Sequence, residues 1–221
     1  DNRAAAKQAE LIVLAVKPQI MNEVVQELAD CLGHNPAVVS IAAGIPLTSL
    51  QNWLGDDVAI IRAMPNTPAM VLCGATGLFA NSLVTTEQQT QVEKVFDAVG
   101  YTCWVDNEAQ IDAVIAVSGS GPAYFFRIME IMQQVGQELG LPPQVAGDLS
   151  LKTALGAARM ATESSANPTQ LRQQVTSPGG TTEAALQTFE DQGLEDTFRK
   201  AMNSALTRAE QMSTDFGSAF K

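Results

Sequence analysis

The chain has 221 residues, with 24 acidic and 13 basic side chains and a net charge of −11. A hydrophobic share of 46% beside 17% charged residues excludes wholesale disorder, and this length suits one large domain or two small ones. The acidic balance argues against nucleic acid or a membrane surface as partner, since both call for clustered Lys and Arg.

The first half alternates strand and helix signals. Residues 11–15, Leu-Ile-Val-Leu-Ala, are a continuous apolar run, which predicts a strand buried on both faces. Ile20, Val24, Leu28 and Leu32 then fall at helical spacing, which predicts a helix over 19–32 ending at Gly33. Further strands are predicted over 37–41, 58–64, 76–80 and 101–105. Between them lie a short helix over 46–54, closed by Gly55, and a helix over 86–99, with Thr86 as N-cap and Gly100 as C-cap. Such alternation implies βαβ units and a mainly parallel sheet.

After Asp106 the pattern is helical throughout, over 109–117, 122–139, 143–164, 169–175, 182–192 and 194–212. Pro122 and Pro143 suit first turns, and Gly140 and Gly193 suit helix ends. The change of character sets a domain boundary between 1–107 and 108–221. The helix over 144–164 is rich in small residues, among them Ala146, Gly147, Ala154, Gly156 and Ala158. Small residues let helices approach closely, so this half is expected to pack against a second copy, with an intrachain bundle as the alternative.

Five segments could carry chemistry. Ala15-Val16-Lys17-Pro18 and Ser40-Ile41-Ala42-Ala43-Gly44 each follow a predicted strand, where doubly wound sheets bind ligands; plain turns would read the same. Met64-Pro65-Asn66-Thr67-Pro68 has a backbone fixed by two prolines, with Asn66 and Thr67 between them, as a pocket wall or a structural loop would. Ser118-Gly119-Ser120-Gly121-Pro122 reads most simply as a hinge that starts a helix. The most informative is Thr176-Ser177-Pro178-Gly179-Gly180-Thr181-Thr182-Glu183. Its glycines free backbone amides just before a helix, among hydroxyls, which suits a carboxylate or phosphate; N-capping by Thr181 or Thr182 is the competing reading.

Absences narrow the field. Cys31, Cys73 and Cys103 are odd in number and far apart, and His34 is the one histidine. A disulfide framework, a zinc site and a Cys–His or Ser–His–Asp centre are not expected, whereas a reducing cytoplasmic setting is. No apolar run approaches the roughly 18 residues of a membrane span, and no secretory signal pattern opens the chain. No G-x-G-x-x-G or Walker loop is present.

In order and spacing, the strings Ala-Val-Lys-Pro, Ser-Ile-Ala-Ala-Gly, Met-Pro-Asn-Thr-Pro, Val-Ser-Gly-Ser-Gly-Pro-Ala-Tyr (117–124) and Thr-Ser-Pro-Gly-Gly-Thr-Thr closely resemble pyrroline-5-carboxylate reductases over essentially the whole chain. That family reduces Δ1-pyrroline-5-carboxylate to L-proline with NADPH or NADH. The resemblance implies an α/β fold: a Rossmann-like dinucleotide-binding domain followed by an all-α dimerisation domain, in dimers that can assemble into decamers. Family members begin with a strand, a Gly-rich phosphate loop, a helix and a second strand, so the first βαβ unit is expected to be missing here.

The resemblance implies cofactor contacts for Asn2, Ala15, Val16, Lys17, Pro18, Ile41, Ala42, Ala43, Asn66 and Glu108. It implies substrate contacts for Ser177, Gly179, Gly180, Thr181 and Thr182, with Thr182 facing the substrate ring nitrogen as the catalytic residue. Ser165 stands where many relatives carry an acid. Two other readings stand beside it. A β-hydroxyacid dehydrogenase would need a lysine on its first long helix, and 122–139 has none. A catalytically incomplete NAD(P)-binding or assembly module would lack turnover.

Overall fold

The computed structural model describes residues 1–218. Five strands, β1 (Leu11–Leu14), β2 (Ala37–Ser40), β3 (Ala59–Met64), β4 (Gly74–Ala80) and β5 (Gly100–Trp104), form one sheet in the order β1-β2-β3-β4-β5. Pairing is parallel except between β3 and β4, so the sheet is mainly parallel, as the alternation of strands and helices predicts. Helices α1 (Asn2–Ala6), α2 (Pro18–Leu28), α3 (Leu47–Leu54) and α4 (Thr86–Asp97) accompany it.

Successive strand residues point to opposite faces, and the core divides accordingly. Val38 and Ile60 pack with Met21, Val25, Leu28, Leu50 and Trp53 of α2 and α3. Val39 and Ile61 pack with Leu78, Val92 and Phe96, on the side of α4.

Five local expectations are corrected. The apolar run of β1 predicts burial on both faces, yet Val13 is 43% exposed, because β1 has one strand neighbour and forms the sheet edge. The buried stripe of α2 is Met21, Val25 and Leu28, while Ile20 lies out at 47% exposure. Both stripes fit a 3.6-residue period and share Leu28, so packing against the sheet decides between them. That helix also stops at Leu28 and tightens into a 3-10 turn, Ala29–Cys31. The N-cap of α4 is Thr85, whose hydroxyl accepts from the Gln88 amide in a capping box, and Thr86 is the first helical residue. Gly100 opens β5 instead of capping α4. It lies opposite Gly74 with φ +155°, and a Cβ there would sit 2.1 Å from the Gly74 carbonyl oxygen. Two glycines let the strands pair this closely, so β4 and β5 both start earlier than their apolar residues suggest.

Beyond β5 come α5 (Ala109–Val114), α6 (Gly121–Glu138), α7 (Pro143–Glu163), α8 (Pro168–Gln174), α9 (Thr181–Asp191) and α10 (Leu194–Ser218). Helix α5 passes into a π-helical turn, Ile115–Gly119, instead of running on as α-helix. It packs on β4, where Gly77 leaves room for Val114. Gly140 and Gly193 take positive φ at helix ends, as expected. Asn167 and Gln170 form a capping box at α8.

Contacts group the chain into two units, Asp1–Pro122 with the chain from Met202 on, and Ala123–Ala201. In the first, Met212 and Phe216 of α10 close on Gly44. In the second, Ser150 of α7 donates to the Met129 carbonyl of α6 at 2.9 Å. Ala146 is the one buried apolar residue of that unit among those described.

Candidate functional site

Three parallel strands end together at one edge of the sheet. Leu14 pairs with Ser40 and Ser40 with Arg62, and the Ile41 amide donates to the Leu14 carbonyl at 3.2 Å. Residues 15–18 and 41–44 therefore lie side by side, with 64–66 beyond them. Ala15 and Lys17 are exposed, and Lys17 makes no ion pair among the described residues. Small side chains at 15 and 42–43 leave the backbone approachable, and Gly44 turns the second loop at φ +76°. Asn2 joins the first of these segments. It shares with Ala15 and Val16 a cleft of about 290 Å³ along the β1 edge. An open cation beside approachable strand ends is the chemistry a dinucleotide phosphate needs.

Asn66 and Glu108 stand in another relation to this edge. The Asn66 side chain donates to the Ser118 carbonyl at 3.0 Å and accepts from the Ala75 amide at 2.9 Å. Both ends of its amide hold protein backbone, so its work here is to fix the loop after β3. Glu108, half-buried, accepts through one oxygen from the Leu47 amide at 2.6 Å and from Arg62 Nη1 at 2.7 Å. Arg62 is 3% exposed in the middle of β3. Asp112 lies in the same surroundings. Burial pushes its carboxyl above the ordinary range, Arg62 opposes that, and Glu210 and Glu108 add to it. Arg62 Nη2 and Asp112 Oδ1 are buried without a hydrogen-bond partner among the described residues. Nothing in the sequence pattern singled out Arg62; an arginine inside the apolar run Ala-Ile-Ile-Arg-Ala was the available signal.

In the helical unit, residues 176–183 form a tight turn into α9, with Gly180 as N-cap and no side-chain cap. The competing reading, capping by Thr181 or Thr182, therefore does not hold. The two glycine amides are not free either, which corrects the sequence reading. Gly179, at φ +70°, donates to Glu183 Oε2 at 2.7 Å, and Gly180 donates to the Ser177 carbonyl at 2.9 Å. The amides left without a partner among the described residues are those of Thr181, Thr182 and Glu183 in the first turn. The donor set an anion would meet is thus shifted one to two residues along the chain. Thr182 is half-buried beside these amides, while Ser177 and Thr181 are exposed. Glu183 was missed as a turn-holding residue, although an acid three positions after an N-cap is its signature.

Among the described residues no group of His, Cys, Asp and Glu could hold a metal ion, and no helix is long and apolar enough to cross a membrane. His34 is exposed and bonds the Ala9 carbonyl at 2.9 Å.

Comparison with known proteins bears on these features. Residues 108–212 match the family described as pyrroline-5-carboxylate reductase dimerisation, and residues 1–44 match NADP oxidoreductase coenzyme F420-dependent. The chain is 49% identical over 216 residues to a pyrroline-5-carboxylate reductase of Pseudomonas aeruginosa, covering 98% of this chain and 79% of that protein. It is 43% identical to one of Vibrio alginolyticus, covering 96% and 78%. Among solved structures, a pyrroline-5-carboxylate reductase from Coxiella burnetii superposes with a TM-score of 0.93 at 47% identity, covering 96% and 79%. The Plasmodium falciparum enzyme with NADP bound superposes at 0.87 with 29% identity, covering 96% and 80%.

Proposed function

The chain belongs to the pyrroline-5-carboxylate reductase family, and from that premise we propose how its own residues divide the reaction between them. The activity is reduction of Δ1-pyrroline-5-carboxylate to L-proline, the last step of proline biosynthesis, with NADPH or NADH. When bound, the reduced nicotinamide supplies hydride to the imine carbon; a proton must reach the ring nitrogen.

Residues 15–18 and 41–43 hold the cofactor, with Asn2 beside the first segment and Glu108 behind the second. Lys17 meets its phosphates. Asn66 serves by fixing the loop that flanks them. The open amides of Thr181, Thr182 and Glu183, at the N-terminus of α9, bind the substrate carboxylate. Ser177, Gly179 and Gly180 shape the turn that presents them.

The single observation behind the substrate assignment is half-buried Thr182 next to first-turn amides that have no partner among the described residues. A ligand whose carboxylate and ring nitrogen are both attached to one carbon can engage both at once. Threonine is too weak an acid to supply the proton outright, so Thr182 orients the nitrogen and passes a proton from water. The same family reading extends the homodimer to larger assemblies up to decamers, in a cytoplasmic setting, with a small-molecule substrate and neither nucleic acid nor membrane as partner.

Replacement of Thr182 by Ala tests the assignment. A loss of about 10²–10⁴-fold in kcat/KM for the imine is expected, the range of a positioned proton-transfer group. Thr182→Ser, which keeps the hydroxyl, is expected to recover most of it. An unchanged kcat/KM in Thr182→Ala would remove Thr182 from the reaction.

A further inference from the structure

We propose that Arg62 is a positioning residue for the cofactor, acting through Glu108 to hold the loop that follows β2. The inference rests on the reading of residues 41–43 as cofactor-binding.

Arg62 occupies the centre of the sheet, paired in register with Ser40 on one side and Phe79 on the other, and is 3% exposed. A buried guanidinium is costly unless a partner compensates it. The compensation is Glu108, at 2.7 Å from Nη1. The same carboxylate oxygen accepts from the Leu47 amide at 2.6 Å. Leu47 is the first residue of α3, and its N-cap, Pro46, offers no side-chain hydrogen bond. Glu108 therefore caps α3 from a distant point in the chain, where an acid is also favoured by the helix dipole.

The loop over 41–46 is thus pinned at both ends. The Ile41 amide is held by the Leu14 carbonyl and the Leu47 amide by Glu108, while Met212 and Phe216 close on Gly44 between them. Arg62 is the cation that keeps the Glu108 carboxylate turned inward. Beside Arg62, the charged groups that act on Asp112 are Glu210 and Glu108, and both are acids. Without Arg62 three carboxylates share the site with no cation among them. Glu108, with 28% of its side chain exposed, then turns to water and releases the Leu47 amide.

The experiment is a cycle on the purified oligomeric enzyme, with NADPH affinity read by fluorescence titration and steady-state constants read separately for NADPH and the imine. Arg62→Met is expected to weaken NADPH binding about 10-fold or more, a change of roughly 1.4 kcal/mol. The KM for the imine at saturating NADPH stays within about 3-fold, a split that general destabilisation would not produce. Arg62→Lys restores part of the loss, since it keeps charge without the planar fork. Glu108→Ala with Arg62→Met binds NADPH no more weakly than Glu108→Ala alone, as it must if Arg62 acts through Glu108.

Independent, multiplying effects in the double variant, or unchanged NADPH affinity in Arg62→Lys and Arg62→Met, would overturn the proposal. Should Arg62→Met not fold, Arg62→Lys alone and combined with Glu108→Ala decides by the same criteria. Ala43→Asp separates the underlying reading. Unchanged NADPH affinity there removes the loop from the cofactor site, whereas a loss there with no loss at Arg62 removes only the positioning role.

Discussion

Asp112 carries a carboxyl raised above its ordinary 3.8, with burial as the main cause and Arg62 as the opposing charge. The consequence for stability has a definite sign. Below 3.8 both folded and unfolded chains hold the proton. As pH climbs from there to the raised native value, the unfolded chain gives up its proton first, so the native state binds more protons and stability falls. Asp112→Asn removes this penalty. The variant is expected to melt higher than wild type at pH 7, with the gap closing as pH is lowered toward 4. Melting curves at fixed protein concentration across that range check it, and a gap independent of pH would contradict the burial argument.

At this scale the sequence conveyed positions better than partners. Lys17 is exposed at a strand end, without an ion pair among the described residues, where its position after an apolar run suggests. Glycines at 179 and 180 did signal a tight turn before a helix, yet their amides close that turn internally. Composition shows that donors exist but not where they point. Arg62 was invisible for the converse reason: its partner, Glu108, lies 46 positions away in the chain.

Secondary structure followed from period and punctuation nearly throughout, because most elements have one dominant apolar stripe. It went astray where two stripes overlap, as in α2, or where a glycine serves a neighbour in space and not in sequence. Gly100 is the clearest instance. Its closest approach is to Gly74, and the two strands could not keep their register around a methyl group placed 2.1 Å from a carbonyl oxygen. Gly100→Ala is therefore expected to destabilise by at least about 2 kcal/mol, lowering Tm by roughly 4–8 °C for a chain of this size. Gly33→Ala, where nothing lies within 4 Å of the added carbon, is expected to stay within about 0.5 kcal/mol. Thermal melts of both variants give the comparison, and equal shifts would mean the β4–β5 approach is not what constrains Gly100.

The two units differ most in how they bury apolar surface. The sheet unit has cores on both faces. The unit Ala123–Ala201 has Ala146 as its one buried apolar residue among those described, while Phe125, Phe126, Leu149, Leu151, Leu155 and Met160 are each more than half exposed. A helical unit cannot be stable with so little buried. The family match over 108–212, named for dimerisation, accounts for the missing burial. Leu151 and Leu155 lie one turn apart on α7, both 55% exposed. Burying a leucine contributes about 1.5–3 kcal/mol, and in a two-fold interface each residue counts twice. About half of each side chain is left to bury, so Leu151→Glu with Leu155→Glu removes about 3–6 kcal/mol of association energy, a loss of about 10²–10⁴-fold in dimer affinity. Sedimentation velocity at micromolar protein should then show monomer where wild type sediments as an oligomer. Thr182→Ala, by contrast, should leave sedimentation unchanged. An unaltered oligomer in the double glutamate variant would place the interface on another face of the helical unit.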